Sequence, residues 1–167
     1  LRTAVFIDGA NVFYQLEDAR VRFDFKSLIE EKLVSKNDEL VAVHYFNSSA
    51  GGEELKKFFH VLKMQDIQVH ILDAVLQDGV FRQKGVDVLL AVTAVASMDS
   101  YDKIIIVSGD ADFLPLGEYL KTSGKNVFFA GFKRTFGQLF KSFKKIYLDG
   151  AVEELEADGK AWRSSND

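Results

Sequence analysis

The run Ile104-Ile105-Ile106-Val107-Ser108-Gly109-Asp110-Ala111-Asp112-Phe113 decides the fold. Four apolar residues empty into a small hydroxyl, a glycine and two acids before an aromatic, which is the pattern of a buried strand leading through a loop into a helix. The N-terminal run repeats it: Ala4-Val5-Phe6-Ile7 leads into Asp8-Gly9-Ala10-Asn11. Two buried strands therefore end in carboxylates beside glycine. In open parallel α/β sheets, sites form at the carboxyl ends of strands. Carboxylates gathered there repel one another unless a cation lies between them, and such oxygens suit Mg²⁺ or Mn²⁺.

Outward from these two runs, strand and helix patterns alternate. Strands are expected over Thr3–Asp8, Leu40–Asn47, Ile67–Leu72, Asp102–Val107, Asn126–Ala130 and Lys145–Leu148. Helices are expected over Ala10–Arg20, Phe25–Ser35, Glu53–Gln65, Val86–Met98, Phe113–Ser123 and Phe136–Phe143. A turn is expected over Ser48–Gly52, and Gln77-Asp78-Gly79 reads as another, with Val80-Phe81-Arg82 extended after it. Val86–Met98 is apolar almost all round, which predicts a buried helix. Pro115 fits the first turn of its helix and Gly124 a left-handed cap at its end. The fold class is α/β, a three-layer α/β/α sandwich around a central, mostly parallel sheet with right-handed crossovers. One domain is expected over 1–148, followed over 149–167 by an acidic helix and a polar tail, with Trp162 docking back.

Composition narrows the chemistry. The chain has 167 residues, 47% hydrophobic and 28% charged, which is enough to fold around one core. It has no cysteine, so disulfides, zinc-thiolate sites and cysteine nucleophiles are excluded. That fits a reducing cytoplasm, and no signal-peptide pattern or membrane-length apolar run is seen. The net charge is −4, yet the window Lys133–Leu148 holds Lys133, Arg134, Lys141, Lys144 and Lys145 without an acid. A basic segment on an acidic body is either a phosphate-binding patch or a solvated face.

Four acids on three segments are candidates for one site: Asp8, Asp87, Asp110 and Asp112. Asp8 has an alternative duty as a helix cap. One of Asp110 and Asp112 is expected to cap the next helix, with Asp112 better placed before Pro115. Asp87 is the single charge between Lys84 and Asp99, on the rim of an apolar helix. Asn11 opens the first helix and Ser108 adds a hydroxyl at a strand end. Arg82 and Lys84 either meet phosphate or pair with acids. Phe13 and Tyr14 are read as core, with base stacking as the alternative. The histidines, His44, His60 and His70, read as structural, and there is neither a phosphate-binding Walker loop nor a G-x-S-x-G elbow.

Phe6–Asn11, then Lys84-Gly85-Val86-Asp87-Val88, then Ser108–Phe113 followed by Pro115-Leu116, resemble the NYN domain family in its LabA-like branch. NYN domains are similar to PIN domains and flap nucleases. The resemblance covers about the first 148 residues and implies a metal-dependent ribonuclease site holding Mg²⁺ or Mn²⁺ on Asp8, Asp87, Asp110 and Asp112, with Asn11 as a polar partner. Two departures stand out: Thr93 occupies a position where many LabA-like members have a second acid, and Lys144 occupies one in the late helix where an acid is common. Expected partners are RNA, no membrane, and a homo-oligomer or protein partner. Two readings stand beside ribonuclease: a catalytically weak RNA- or protein-binding regulatory module, and a small-molecule phosphoesterase.

Overall fold

The computed structural model describes residues 1–49 and 52–163. In chain order the elements are β1 (Arg2–Asp8), α1 (Gly9–Ala19), β2 (Val21–Phe23), α2 (Phe25–Ser27), β3 (Glu39–Ser48), α3 (Glu53–Met64), β4 (Gln68–Leu72), β5 (Val75–Gln77), β6 (Val80–Arg82), α4 (Val86–Ala96), β7 (Lys103–Val107), α5 (Leu114–Thr122), β8 (Asn126–Gly131), β9 (Lys144–Tyr147), α6 (Leu148–Ala157) and β10 (Ala161–Arg163). The turn expected over 48–52 lies partly outside the described residues, as does the end of the polar tail.

Six strands form one sheet in the order β4-β3-β1-β7-β8-β9, and every neighbouring pair is parallel. The chain builds outward from β1 to β4, then returns to lay β7 on the other side of β1. The order of winding therefore reverses between β1 and β7, and a crevice opens at their carboxyl ends, where α/β sheets bind ligands.

The apolar runs explain the layers. Sheets covered on both faces need strands that are apolar at successive positions. In β1, Val5 and Ile7 face a core shared with Val12 of α1, Phe59 and Leu62 of α3 and Leu148, Val152 and Leu155 of α6. Ala4 and Phe6 face the opposite core, shared with Leu90 and Ala94 of α4 and Leu116 and Leu120 of α5. The parity of β1 thus assigns its last residue, Asp8, to the α4 side.

Four sequence expectations are corrected. The helix of 25–35 begins with the short α2, capped by Asp24 through the Ser27 amide, and continues as π-helix over Leu28–Leu33. Instead of a helix over 136–143 there are two 3₁₀ turns, Lys133–Thr135 and Gln138–Phe140, because Phe136 and Gly137 between them are extended. α4 is not buried all round: Val86, Leu90 and Ala94 face the core, while Val88 and Val92 are 60% and 58% exposed. One stripe suffices to cover the sheet, and among the described residues nothing covers the other. Within the stretch expected as a tail, β10 pairs antiparallel with β2, an element the sequence reading left unassigned, and it is this strand that docks, since Trp162 is exposed. The turn read at Asp78-Gly79 is a two-residue hairpin with both residues at positive φ, joining β5 and β6 as a separate two-stranded sheet.

The α4-side core holds a histidine pair. His44 Nδ1 and His70 Nε2 lie 2.9 Å apart, and the rings stack on Phe6 and Phe46. Burial, then the charge His70 would carry, push the His44 pKa down to about 4, and burial lowers that of His70. The unfolded chain takes up these protons near pH 6.5, so native stability is full above that pH. It falls as pH drops from 6.5 towards 4, by up to about 3 kcal/mol for His44 alone. Urea unfolding at stepped pH is expected to show this decline, and His44→Gln is expected to flatten it. A wild-type stability constant over that window would refute the assignment.

Candidate acidic site at the carboxyl edge of the sheet

Register brings the first two groups together. Ile7 and Val107 are paired across β1 and β7, so the residues that follow them, Asp8 and Ser108, meet at the mouth of the crevice. Ser108 Oγ donates to Asp8 Oδ2 at 2.8 Å, and the Asn11 amide donates to Asp8 Oδ1 at 3.4 Å. Asp8 therefore caps α1 and also reaches across the switch point. Ser108 Oγ accepts in turn from the Asp110 amide at 3.1 Å, which places Asp110 one link from Asp8. Ser108 is buried and Asp8 is 9% exposed.

Asn11 performs a second task. Its Oδ1 accepts from the Gly109 amide at 2.9 Å, tying the start of α1 to the loop after β7. Gln15 Nε2 also donates to Asn11 Oδ1, while Gln15 Oε1 accepts from the Phe132 amide at 3.0 Å just beyond β8. The exits of three adjacent strands are thus joined through two amide side chains. Sequence reading missed Gln15. The available signal was its i,i+4 spacing from Asn11, which stacks the two amides on one face of α1.

The loop after β7 differs from expectation in its cap. Asp110, not Asp112, accepts the helix-opening hydrogen bond, from the Asp112 amide at 2.9 Å. The helical turn begins at Ala111, three residues before α5, so the capping position moves back by two. Asp112 is exposed. With Asp87 it lines a depression of about 380 Å³ between α4 and α5. Asp87 stands in the first turn of α4, after Gly85 at φ 79°.

The electrostatics link the acids. Burial raises the Asp8 pKa above its ordinary 3.8, and the negative charges of Asp110 and Asp87 add to it, against the lowering effect of the Ser108 and Asn11 hydrogen bonds. Asp8, Asp87 and Asp110 therefore share one field. Oxygen is the only ligand type on offer, which fits a hard divalent cation in chemistry. Among the described residues no three His, Asp or Glu side chains close tightly enough to grip one ion. The donor chemistry suits such an ion, while the acids stand open rather than closed around one point.

The flanking groups divide. Arg82 ends β6 and, with Lys84, is exposed beside the entry to α4. The basic segment does not form one patch. Arg134 pairs with Asp18 at 2.7 Å, Lys145 donates to the carbonyls of Phe140 and Phe143 at 2.9 and 3.0 Å, and Lys144 lies over the Phe128 ring. Lys144 opens β9 rather than sitting in a helix. Lys133 and Arg134 do belong to the site's edge, since their turn packs against it: a Cβ on Gly109 would lie 2.7 Å from Thr135 Oγ1. Thr93 spends its hydroxyl on the Leu89 carbonyl at 2.7 Å, inside its own helix. Phe13 and Tyr14, read as core, are 53% and 72% exposed on α1.

A parallel sheet wound in this order, with acids at its switch crevice and helices on both faces, defines a three-layer α/β/α domain. The NYN domain model matches residues 2–149, and the chain belongs to that family, one of nuclease-type domains. It is 23% identical over 132 residues to the low amplitude and bright protein LabA of Synechococcus elongatus, across 75% of this chain and 71% of that protein. A crystal structure of a Vibrio parahaemolyticus protein of unknown function superposes with a TM-score of 0.76 at 25% identity, covering 89% of this chain and 93% of that one. No helix among the described residues is long and apolar enough to cross a membrane.

Proposed function

We propose that this protein is a divalent-cation-dependent ribonuclease that hydrolyses RNA phosphodiester bonds at the crevice between β1 and β7. The observation that carries the reading is Asp8: a carboxylate buried at a strand switch, its pKa raised by burial and by two further acids. Isolated buried charge is costly, and a cation is the ordinary compensation. Asp8, Asp87, Asp110 and Asp112 are the residues that would hold it. When bound, Mg²⁺ or Mn²⁺ supplies positive charge for the phosphate and acidifies water for attack on phosphorus. The chain's own groups do the positioning. Ser108 holds one Asp8 oxygen by its hydroxyl. Asn11 fixes the Gly109 amide and so the loop that carries Asp110. Arg82 and Lys84, exposed before α4, and Lys133, exposed in the turn packed on Gly109, would meet flanking phosphates.

The test is cleavage of a panel of single-stranded and structured RNAs with Mg²⁺, Mn²⁺ or EDTA. Cleavage dependent on divalent ions and reduced at least about 10²-fold by Asp110→Asn is expected. No cleavage of any RNA, together with no thermal shift by either ion, would overturn the reading. The openness of the acid cradle favours one second reading, an RNA-binding module with little turnover. RNA binding retained by an Asp8→Asn/Asp110→Asn double variant, with no turnover by the wild type, would select it.

A further inference from the structure

Beyond the acids, the depression between α4 and α5 has its own chemistry. Both helices begin at the carboxyl edge of the sheet, so the trench starts at Asp87 and Asp112 and runs down the side of the molecule. From Asp87 to Val95 it extends about 12 Å along α4. Ala91 and Val95 line one wall, and Leu116 and Tyr119 the other. The Tyr119 ring is 49% exposed. None of the residues lining the trench is a cation.

We infer that this trench takes the nucleobase of the nucleotide adjoining the phosphate held at the acids. The inference rests on the ribonuclease reading and names the part of the substrate that the acids leave unplaced. The lining offers no lysine or arginine to pair with a second phosphate, so the strand's backbone does not follow the trench. A neutral planar group can: apolar walls cover its faces, and Tyr119 offers a ring to stack on. A volume of about 380 Å³ accommodates a base with its ribose. The walls carry no donor–acceptor code, so bases are distinguished by stacked area, purine above pyrimidine.

The test is a methyl NMR titration of the full chain, in Mg²⁺, with AMP, UMP and ribose 5-phosphate. AMP is expected to shift the Ala91, Val95 and Leu116 methyls saturably, UMP to bind about threefold or more weakly, and ribose 5-phosphate to leave them in place. Tyr119→Ala, at an exposed position, is expected to weaken AMP about tenfold, and Ala91→Phe to fill the trench and remove the response. Equal shifts from AMP and ribose 5-phosphate, or an AMP response that survives Ala91→Phe, would overturn the inference, as would methyls moved by an apolar peptide but not by AMP. Cleavage assays separate the two readings. A wild type that cuts no RNA while AMP moves these methyls refutes the nuclease and keeps the base site. RNA cleavage with unmoved methyls does the reverse.

Discussion

Asp8→Asn is expected to abolish RNA cleavage and, in EDTA, to raise the melting temperature. The two effects share a cause. The Asp8 pKa is higher in the folded protein than the ordinary 3.8 because burial and the charges of Asp110 and Asp87 oppose its ionisation. A carboxyl shifted upward favours the fold below the unfolded pKa and loses that contribution as pH rises through the folded value. At neutral pH the ionised group therefore weakens the ion-free fold. Asparagine deletes the charge and keeps one acceptor oxygen, for the Asn11 amide, while its Nδ2 donates to Ser108 Oγ, whose hydroxyl turns away. The melting temperature in EDTA is therefore expected to rise. The same deletion removes a ligand oxygen and its charge, so cleavage falls at least about 10²-fold. Melting curves with Mn²⁺ and with EDTA check both halves: wild type rises on adding Mn²⁺, the variant does not. A variant that melts below wild type in EDTA would show that Asp8 serves the fold first.

Gly9→Ala carries the largest expected loss of stability. A Cβ there would lie 2.5 Å from Tyr45 Cζ and 2.6 Å from both the Phe46 carbonyl oxygen and Tyr45 Oη. Neither neighbour can withdraw cheaply. Tyr45 is 2% exposed and its hydroxyl accepts from Asn47 Nδ2 at 3.3 Å. The Phe46 carbonyl belongs to β3, held between β1 and β4. Overpacking against fixed backbone costs about 3 kcal/mol or more, a fall of about 6–12 °C in melting temperature. Gly150→Ala makes the contrast, since a Cβ there meets nothing within 4 Å inside α6. It is expected to stabilise by about 0.5–1 kcal/mol through helix propensity. Urea unfolding of the two variants measures both signs. A Gly9→Ala protein as stable as wild type would mean that Tyr45 swings clear.

The legible parts of the chain are those whose signal is local. β1 and β7 read as buried strands because four successive apolar residues lead into acids beside glycine, and Gln77-Asp78-Gly79 reads as a turn because Asp and Gly tolerate the positive φ that turn positions need. Asp8 was legible for the same reason, as an acid closing a buried run. What stayed hidden depends on partners distant in sequence. β2 and β10 have three residues each, and each is a strand only because the other lies beside it. The hydrophobicity of α4 states how apolar the helix is but not that half of it meets no covering layer. Charge counting left Lys144 and Lys145 between a phosphate patch and a solvated face, whereas Lys145 satisfies two backbone carbonyls and Lys144 lies on a ring. Capping rules apply to either aspartate, and the early 3₁₀ turn selects Asp110.

The position of β1 between β3 and β7 has a consequence for synthesis. β1 leaves the ribosome before the other strands of its sheet, yet the hydroxyl that meets Asp8 belongs to a residue 100 positions later. At about 5–20 residues per second, the nascent chain carries one unpaired β1 edge for roughly 5–20 s. During that interval the edge is open to mispairing and to chaperones. Until Ser108 and Asp110 emerge, the polypeptide has Asp8 but no crevice. The acidic site is therefore born late, when most of the domain is already outside the ribosome.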